Sequence, residues 1–264
     1  MTSRQVGKFL GLLYYLKKPA RSKHILYEFI YEPKKSLRGI ISLLVWKIAL
    51  KKIDRIFVQS TAEIDYYSKI FKESKKKFIF IPVAVPEGES FVGPSPAGYL
   101  FSAGRTNRDF PLLLKVVSSL NIPTIIVAGK NEKITLKSTP SNVKVYFDIP
   151  KEDYSRLLSN SHLVIITLKD GISSRGQIAL LEAMALGKPL ICTDVPGIRD
   201  YLIDGINGFL VPPGDPLALK NKITYLYHNL PVLNTIGRKA YETAKYLFNT
   251  RRFEDNFINA LYNV

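Results

Sequence analysis

The segment from residue 163 to residue 193 constrains the fold of this chain more than any other. It opens with the apolar run LVIITL, passes through a polar loop into strong helix formers, and closes with a second apolar run, LICT. Gly187 and Pro189 follow the helix formers, where glycine tolerates a positive φ and proline cannot continue a helix. Two apolar strands joined by a short helix form a crossover between parallel strands. The sequence therefore predicts an α/β fold.

One residue of the predicted helix, Glu182, carries chemistry that a purely structural helix does not need. Its neighbours along the helix are Ala, Leu and Met, and the preceding loop contains Ser173, Ser174 and Arg175. Ligands of open α/β sheets bind beyond the carboxyl ends of the strands, where a helix N-terminus can hold a phosphate. A carboxylate in such a helix would accept hydrogen bonds from sugar hydroxyls. The alternative is a solvated glutamate on an exposed face, and spacing alone does not decide between the two.

The residues around Glu182 resemble a known family. The motif LLEAMALGKPLI and the later GIRDYLIDGINGFLVPPGDP are similar to the donor-nucleotide half of retaining glycosyltransferases of family four (glycosyl transferases group 1), which have the GT-B fold. The resemblance covers residue 99 to the C-terminus and, less specifically, residues 54–87. It implies that Glu182 binds the ribose of a nucleotide-diphosphate sugar. The family has another glutamate eight residues earlier that contacts the donor sugar, and this chain has Ser174 there.

A second candidate loop, GRTNRDFP, follows the strand predicted at residues 99–103. Backbone N–H groups can approach a diphosphate at Gly104, and Arg105 and Arg108 offer bidentate donors. The alternative is that both arginines are ordinary surface cations around a turn. The resemblance implies that Arg105 matches a family arginine and that Arg108 stands in for a family lysine. The predicted catalytic residues are Arg105, Arg108 and Glu182, and the predicted donor-binding residues are Gly104, Ser174, Gly176, Gln177 and Glu182.

A Pro- and Gly-rich stretch, PEGESFVGPSPAG, predicts a linker between two domains. The predicted organisation is a small basic acceptor-side α/β domain at residues 1–90, a Rossmann-like nucleotide-sugar donor-binding domain at residues 97–248, and a C-terminal helix at residues 249–264 that crosses back to the first domain. The fold class is therefore two Rossmann-like domains of the GT-B type, the first truncated. The family's opening strands have no counterpart here, and the context of His24 does not match the family's catalytic histidine.

The first part of the chain is strongly basic. Residues 1–96 carry 18 Lys and Arg against 8 Asp and Glu, in a chain of formal net charge +16. Residues 34–52 have apolar positions at helical spacing with lysines at both ends, which predicts an ordinary packed helix or a membrane-surface helix anchored by Trp46. The segment alone favours the packed helix. The charge excess and the resemblance favour a peripheral membrane contact through the first domain.

Several sequence signals of other protein classes are missing. Cys192 is the one cysteine, which rules out a disulfide framework and favours a reducing compartment, so we expect a cytoplasmic protein that docks on the inner membrane face if it docks at all. The sequence has no Asp-X-Asp pair and no zinc-spaced His/Cys cluster, so we expect neither a metal nor a cofactor. Arginine and a helix N-terminus would neutralise the diphosphate instead.

These observations predict a retaining, metal-independent glycosyltransferase of the hexosyltransferase type. It would move a sugar from a nucleotide-diphosphate sugar to an acceptor, either lipid-linked or a surface glycan. The alternative is a non-catalytic GT-B-like nucleotide-sugar-binding partner subunit, which the short first domain and Ser174 favour. A homo-oligomer or a complex with a partner subunit stays open. Nucleic acid is not an expected partner, because no nucleic-acid-binding motif appears.

Overall fold

The architecture is an alternation of strands and helices. The structure is a computed structural model, and all pairings between its named strands are parallel. No helix in the described part of the chain is long and apolar enough to cross a membrane. The residues that the structure describes are 23–85, 88–96, 98–130, 132, 134 and 139–262.

The chain forms two compact units. Of the described residues, the first unit contains those up to Val83, the short segment Ile172–Ser174 and those from Phe253 to Tyr262. The second contains the described residues of Ala84–Gly171 and Arg175–Arg252. Each unit has its own hydrophobic core.

The first unit has a three-stranded parallel sheet in the order β1-β2-β3. Aromatic side chains dominate its core, including Phe29, Trp46 and Tyr67. The last helix, α8, adds Phe257, whose ring lies 5.4 Å from that of Phe57. The elements are β1 (Ile25–Leu26), α1 (Leu37–Leu50), β2 (Arg55–Val58), α2 (Thr61–Phe71), β3 (Phe78–Phe80) and, at the end of the chain, α8 (Thr250–Tyr262).

Helix α1 confirms the helix predicted over residues 34–52 and corrects one part of that prediction. Ser36 caps the helix by accepting a hydrogen bond from the Gly39 backbone N–H, at 3.2 Å. Trp46, which one of the two alternatives for this segment made a membrane anchor, is 1% exposed and its ring packs edge-on against Phe29 at 5.0 Å. Trp46 is therefore a core residue and not an anchor: α1 is apolar on two faces, and Trp46 lies on the face that enters the core.

The second unit has a six-stranded parallel sheet in the order β6-β5-β4-β7-β8-β9. This order runs outward from β4 to one edge and from β7 to the other, as in dinucleotide-binding folds. Its elements are β4 (Leu100–Gly104), α3 (Phe110–Val117), β5 (Thr124–Ala128), β6 (Val143–Phe147), α4 (Lys151–Ser159), β7 (Leu163–Ile166), α5 (Gln177–Ala185), β8 (Leu190–Thr193), β9 (Phe209–Val211), α6 (Pro216–Tyr227) and α7 (Leu230–Leu247).

The predicted strand–helix–strand unit is confirmed as β7, α5 and β8. Helix α5 begins at Gln177 and ends at Ala185, and Gly187 after it has a φ of 68°. Cys192 is fully buried in β8, as the apolar run predicted. Local sequence therefore determines these boundaries: helix formers fill the interior, and only glycine adopts the left-handed backbone at the end without strain.

A buried lysine holds loops of the second unit together. The Lys188 ammonium is inaccessible to solvent and donates hydrogen bonds to the backbone carbonyls of Gly93, Ser159 and Ser161. Burial lowers the pKa of Lys188 to about 8. Three carbonyl acceptors match the three N–H donors of an ammonium, so each partner is satisfied.

We expect Lys188→Met to lower the free energy of unfolding by about 2–4 kcal/mol at neutral pH, because three buried carbonyls lose their donor. Urea unfolding measures this, and Lys239→Met, at an exposed lysine, is the matched control. Above pH 8 the unfolded wild type binds more protons than the folded wild type. Its stability should therefore rise relative to the variant between about pH 8 and about pH 10. Equal unfolding free energies for variant and wild type would contradict this role of Lys188.

Candidate functional site

The second unit opens at the carboxyl ends of β4 and β7. These neighbouring strands pair only at Leu100 with Leu163 and at Phe101 with Val164. The strand order reverses between β4 and β7, so the connections that follow these two strands lead toward opposite edges of the sheet. In open α/β sheets this is the position at which ligands bind. The predicted site residues of the second unit lie on these two loops and on the helix that follows the second.

Arg108 is the central cation of this opening. Its side chain is only 4% exposed, and its Nε donates to the Ala103 carbonyl at 2.8 Å. Its Nη1 donates to the Thr106 carbonyl at 3.3 Å. Burial lowers the pKa of Arg108. Because an arginine keeps its proton in proteins, the fold holds a positive charge away from water.

No carboxylate in the described part of the chain forms an ion pair with Arg108. Its hydrogen bonds go to backbone carbonyls, which stabilise the guanidinium but do not neutralise it. A buried charge is expensive unless it is paired and hydrogen-bonded. The arrangement therefore favours an anion beside this guanidinium.

Two glycines lie next to the Arg108 guanidinium, and one of them, Gly104, leaves the space that it occupies. A Cβ added to Gly104 would lie 2.2 Å from the Arg108 Nε, so a side chain at this position displaces the guanidinium. A Cβ added to Gly176 would lie 3.5 Å from its Nη1 and 3.3 Å from the methyl groups of Leu168. Gly176 also has a φ of 97°, which other residues rarely adopt. The structure thus brings Gly104, Arg108 and Gly176 together.

Helix α5 begins beside this guanidinium without a side-chain cap. Gly176 is its N-cap, and no side chain among the described residues caps the first turn. The first N–H groups of a helix have no intrahelical partner and carry the positive end of the helix dipole. The Gln177 side chain is buried and donates to the Gly197 carbonyl at 2.8 Å. Gln177 therefore offers its backbone N–H to this opening, whereas its amide is already used.

Glu182 lies in the second turn of α5 and is half-buried. Its Oε2 accepts a hydrogen bond from the Tyr154 hydroxyl at 2.7 Å. Burial, followed by the Glu182 carboxylate, raises the pKa of Tyr154, so the phenol stays protonated and donates. This contact holds Glu182 in one orientation. The fully solvated glutamate that the sequence left open is not what the structure contains.

Arg105 lies at the same opening, and its side chain is exposed. Its Nε lies 3.4 Å from Asp148 Oδ1, and the other oxygen of Asp148 accepts the Lys130 backbone N–H at 3.1 Å. Asp148 follows β6, so loops after three strands meet here. The Arg105 side chain is 75% exposed, and such ion pairs contribute little to stability. Arg105 can therefore exchange Asp148 for another anion at small cost.

Ser174 belongs to the first unit, together with its partner Glu63. The Ser174 backbone N–H and hydroxyl donate to the two carboxylate oxygens of Glu63, each at 2.8 Å. Glu63 also accepts from the Gln59 backbone N–H and the Tyr67 hydroxyl, at 3.1 Å and 3.2 Å. Burial raises the pKa of Glu63, and these hydrogen bonds act in the opposite direction. Both polar groups of Ser174 are therefore engaged in a buried contact.

The sequence analysis missed Tyr154 and Asp148. Tyr154 lies on α4, 28 residues before Glu182, and no motif connects the two. The one available signal was the i, i+4 spacing of Tyr154 and Leu158, which indicates an inward-facing tyrosine without naming its partner. Within the described ranges, no group of three or more His, Cys, Asp or Glu residues is arranged to hold a metal ion.

Comparisons with known proteins identify the family of this chain. Residues 98–243, more than half of the chain, match the family Glycosyl transferases group 1. An uncharacterized glycosyltransferase of Methanocaldococcus jannaschii is 33% identical over 120 residues, which are 44% of this chain and 32% of that protein. The N-acetyl-alpha-D-glucosaminyl L-malate synthase of Bacillus anthracis is 25% identical over 154 residues, 57% of this chain and 40% of that enzyme. The chain thus matches less than half the length of these two relatives.

Solved structures extend the likeness to nearly the whole chain. The crystal structure of HepE from Anabaena in complex with UDP-glucose superposes with a TM-score of 0.81 at 16% identity. The superposition covers 97% of this chain and 77% of that one. At this identity the likeness concerns the fold. The chain belongs to the Glycosyl transferases group 1 family and has the α/β fold, with parallel sheets, of GT-B glycosyltransferases.

Proposed function

We propose that this chain is a glycosyltransferase that takes a sugar from a nucleotide-diphosphate donor bound at the carboxyl ends of β4 and β7. The observation that carries the proposal is the buried Arg108 guanidinium, which forms no ion pair with a carboxylate among the described residues and lies beside the uncapped start of α5. A diphosphate supplies the anion that this place favours. HepE, whose crystal structure contains UDP-glucose, supports a donor of this class.

Each residue has a distinct role in this proposal. Arg108 and the N-terminus of α5 stabilise the charge that builds on the diphosphate as the sugar leaves, an electrostatic role that needs no proton transfer. Arg105, which is exposed, adds a bidentate donor once it leaves Asp148. Glu182, oriented by Tyr154, accepts hydrogen bonds from the two ribose hydroxyls through the oxygen that Tyr154 does not use.

The finer assignments follow the sequence resemblance. We assign the chain to the retaining enzymes of family four, with no metal in the transfer step. The hexosyltransferase type, the cytoplasmic location and the absence of a cofactor belong to the same proposal. Donor binding is assigned to the second unit, and acceptor binding to the first. The acceptor is lipid-linked, and the basic composition of the first 96 residues supports this choice over a surface glycan.

A second candidate is a nucleotide-sugar-binding subunit without activity of its own. Ser174 favours it, since both polar groups of this residue are bound to Glu63. In the resembling family this position carries a glutamate that contacts the donor sugar. The two candidates separate experimentally: the subunit binds the donor without hydrolysing or transferring it, whereas the enzyme turns it over.

We expect Glu182→Ala to abolish the rise in unfolding temperature that the correct nucleotide-diphosphate sugar produces. Losing the carboxylate removes charge-assisted hydrogen bonds of about 1.5–3 kcal/mol, which lowers affinity by about 10- to 100-fold. Thermal unfolding across a panel of donors measures the effect. Glu152→Ala, at an exposed glutamate of α4, is the matched control, and Tyr154→Phe should lower affinity by less than about tenfold. An equal donor shift in Glu182→Ala and wild type would refute the ribose assignment.

Arg108→Met should separate stability from binding. Removing the buried guanidinium relieves the cost of a desolvated charge but leaves the carbonyls of Ala103 and Thr106 without this donor, so we expect the two effects to offset and the unfolding temperature of the free chain to stay close to that of the wild type. The same change should abolish donor binding, because the diphosphate loses its central cation. Gly104→Ala, which displaces the guanidinium without removing it, should weaken binding as well. Calorimetric titration with the donor measures both variants, and unchanged affinity in Arg108→Met would contradict the proposal.

Restoring the family's glutamate by Ser174→Glu should destabilise the chain without improving donor binding. The new carboxylate would be buried against Glu63, and like charges at this distance repel. We expect the unfolding temperature to fall, and to recover in the double variant Glu63→Gln/Ser174→Glu. Tighter donor binding by the single variant, with no loss of stability, would show instead that position 174 faces the donor.

A further inference from the structure

Helix α1 of the first unit exposes a row of aliphatic side chains. Five large residues have between 41% and 73% of their surface accessible. Isolated exposed aliphatic residues are ordinary in folded proteins, but five on one short helix are not. They are Leu37, Ile40, Ile41, Leu44 and Ile48.

These five residues form one continuous stripe. At about 100° per residue, they fall within a sector roughly 100° wide along the helix. The opposite face carries Trp46, Ala49 and Leu50, all buried in the core of the first unit. Core packing thus holds α1 in place and leaves the stripe facing outward, so the folded helix needs no ordering step to present it.

The charge around the stripe has a single sign. Between Pro33 and Ile53 the chain has six basic residues and no acidic one. On the helix, Arg38 flanks one side of the stripe and Lys47 the other, since they lie about 100° and about 80° from Leu37 in opposite directions. The six basic residues are Lys34, Lys35, Arg38, Lys47, Lys51 and Lys52.

We propose that this stripe docks on an anionic lipid bilayer, with the five aliphatic side chains inserted below the headgroups and the basic residues at the level of the phosphates. Interfacial helices combine an apolar face with flanking Lys and Arg, and each basic residue near an anionic surface adds attraction. The inference deepens the proposed function, because it identifies the surface through which an enzyme with a lipid-linked acceptor would reach it.

The composition of the stripe favours lipid over a protein partner. Protein interfaces concentrate their binding energy in Trp, Tyr and Arg, and use polar groups to fix one orientation. The stripe contains only Leu and Ile, which suit a fluid apolar phase without a fixed partner geometry. The 14-residue helix is about 21 Å long, which suits a helix lying along the surface.

Co-flotation of the full chain with lipid vesicles tests this surface. One set of vesicles contains phosphatidylcholine alone, and the other contains phosphatidylcholine with phosphatidylglycerol. The test variant is Ile40→Gln/Ile41→Gln/Leu44→Gln. The matched control, Ile203→Gln/Ile206→Gln/Leu217→Gln, changes three residues of the second unit that are equally exposed. All six positions are more than half exposed, so both triple variants should fold.

We expect the wild type and the control to float with the anionic vesicles, more weakly at high salt, and to bind neutral vesicles much less. The stripe variant should lose at least about tenfold in partitioning. Equal flotation of both triple variants would overturn the proposal. A wild type that binds neither kind of vesicle would also overturn the proposal. This holds even if the wild type forms a dimer that the stripe variant dissociates.

Donor binding is measured on the same proteins without lipid. The stripe variant should give the wild-type shift in unfolding temperature with the donor, because none of its changes touches the donor site. Vesicle binding without any donor shift would sink the proposed transferase activity and leave the docking surface standing. A donor shift without vesicle binding would overturn the docking surface and leave the proposed transferase activity standing.

Discussion

The proposed donor site depends on one buried positive charge. The Arg108 guanidinium is held by the carbonyls of Ala103 and Thr106, in space left by Gly104 and next to Gly176. Backbone carbonyls fix its position without cancelling its charge, so the free protein carries an electrostatic cost that an anionic ligand relieves. The uncapped start of α5 adds its N–H groups at the same place. The positive groups of the proposed anion site are therefore in place before any ligand arrives, which is how preorganised sites stabilise developing charge.

Local features of the sequence predicted much of this arrangement. Glycines and prolines determine where α5 begins and ends, and apolar runs determine β7 and β8, because these constraints act within a few residues. Gly104, Arg108, Gly176 and Glu182 were predicted as site residues because they lie on loops and a helix that the alternating pattern assigns to one edge of a parallel sheet. Tyr154 was not, since its contact with Glu182 is made by packing between two helices. The contact of Ser174 with Glu63 joins residues 111 positions apart, and no local pattern predicts it.

Helix α1 shows a different limit of periodicity. The spacing of its apolar residues correctly predicted a helix. However, the stripe of Leu and Ile residues lies on the exposed face of the helix, and Trp46 packs into the core from the opposite face. A helix that is apolar on two faces gives no sequence signal for which face is buried. The fold resolves this because the aromatic core around Phe29 accepts the indole. The face left outside is the one for which we propose a membrane contact, and Trp46 takes no part in it.

The central claim is that a nucleoside diphosphate binds between the loop after β4 and the start of α5. Hydrogen–deuterium exchange of the full chain, with and without UDP, GDP or ADP, tests the position directly. The account predicts that one of these ligands slows exchange at residues 104–108 and 176–179 and leaves the α1 segment Leu37–Leu50 unchanged. Slowed exchange confined to other segments, or none with any of the three, would contradict it.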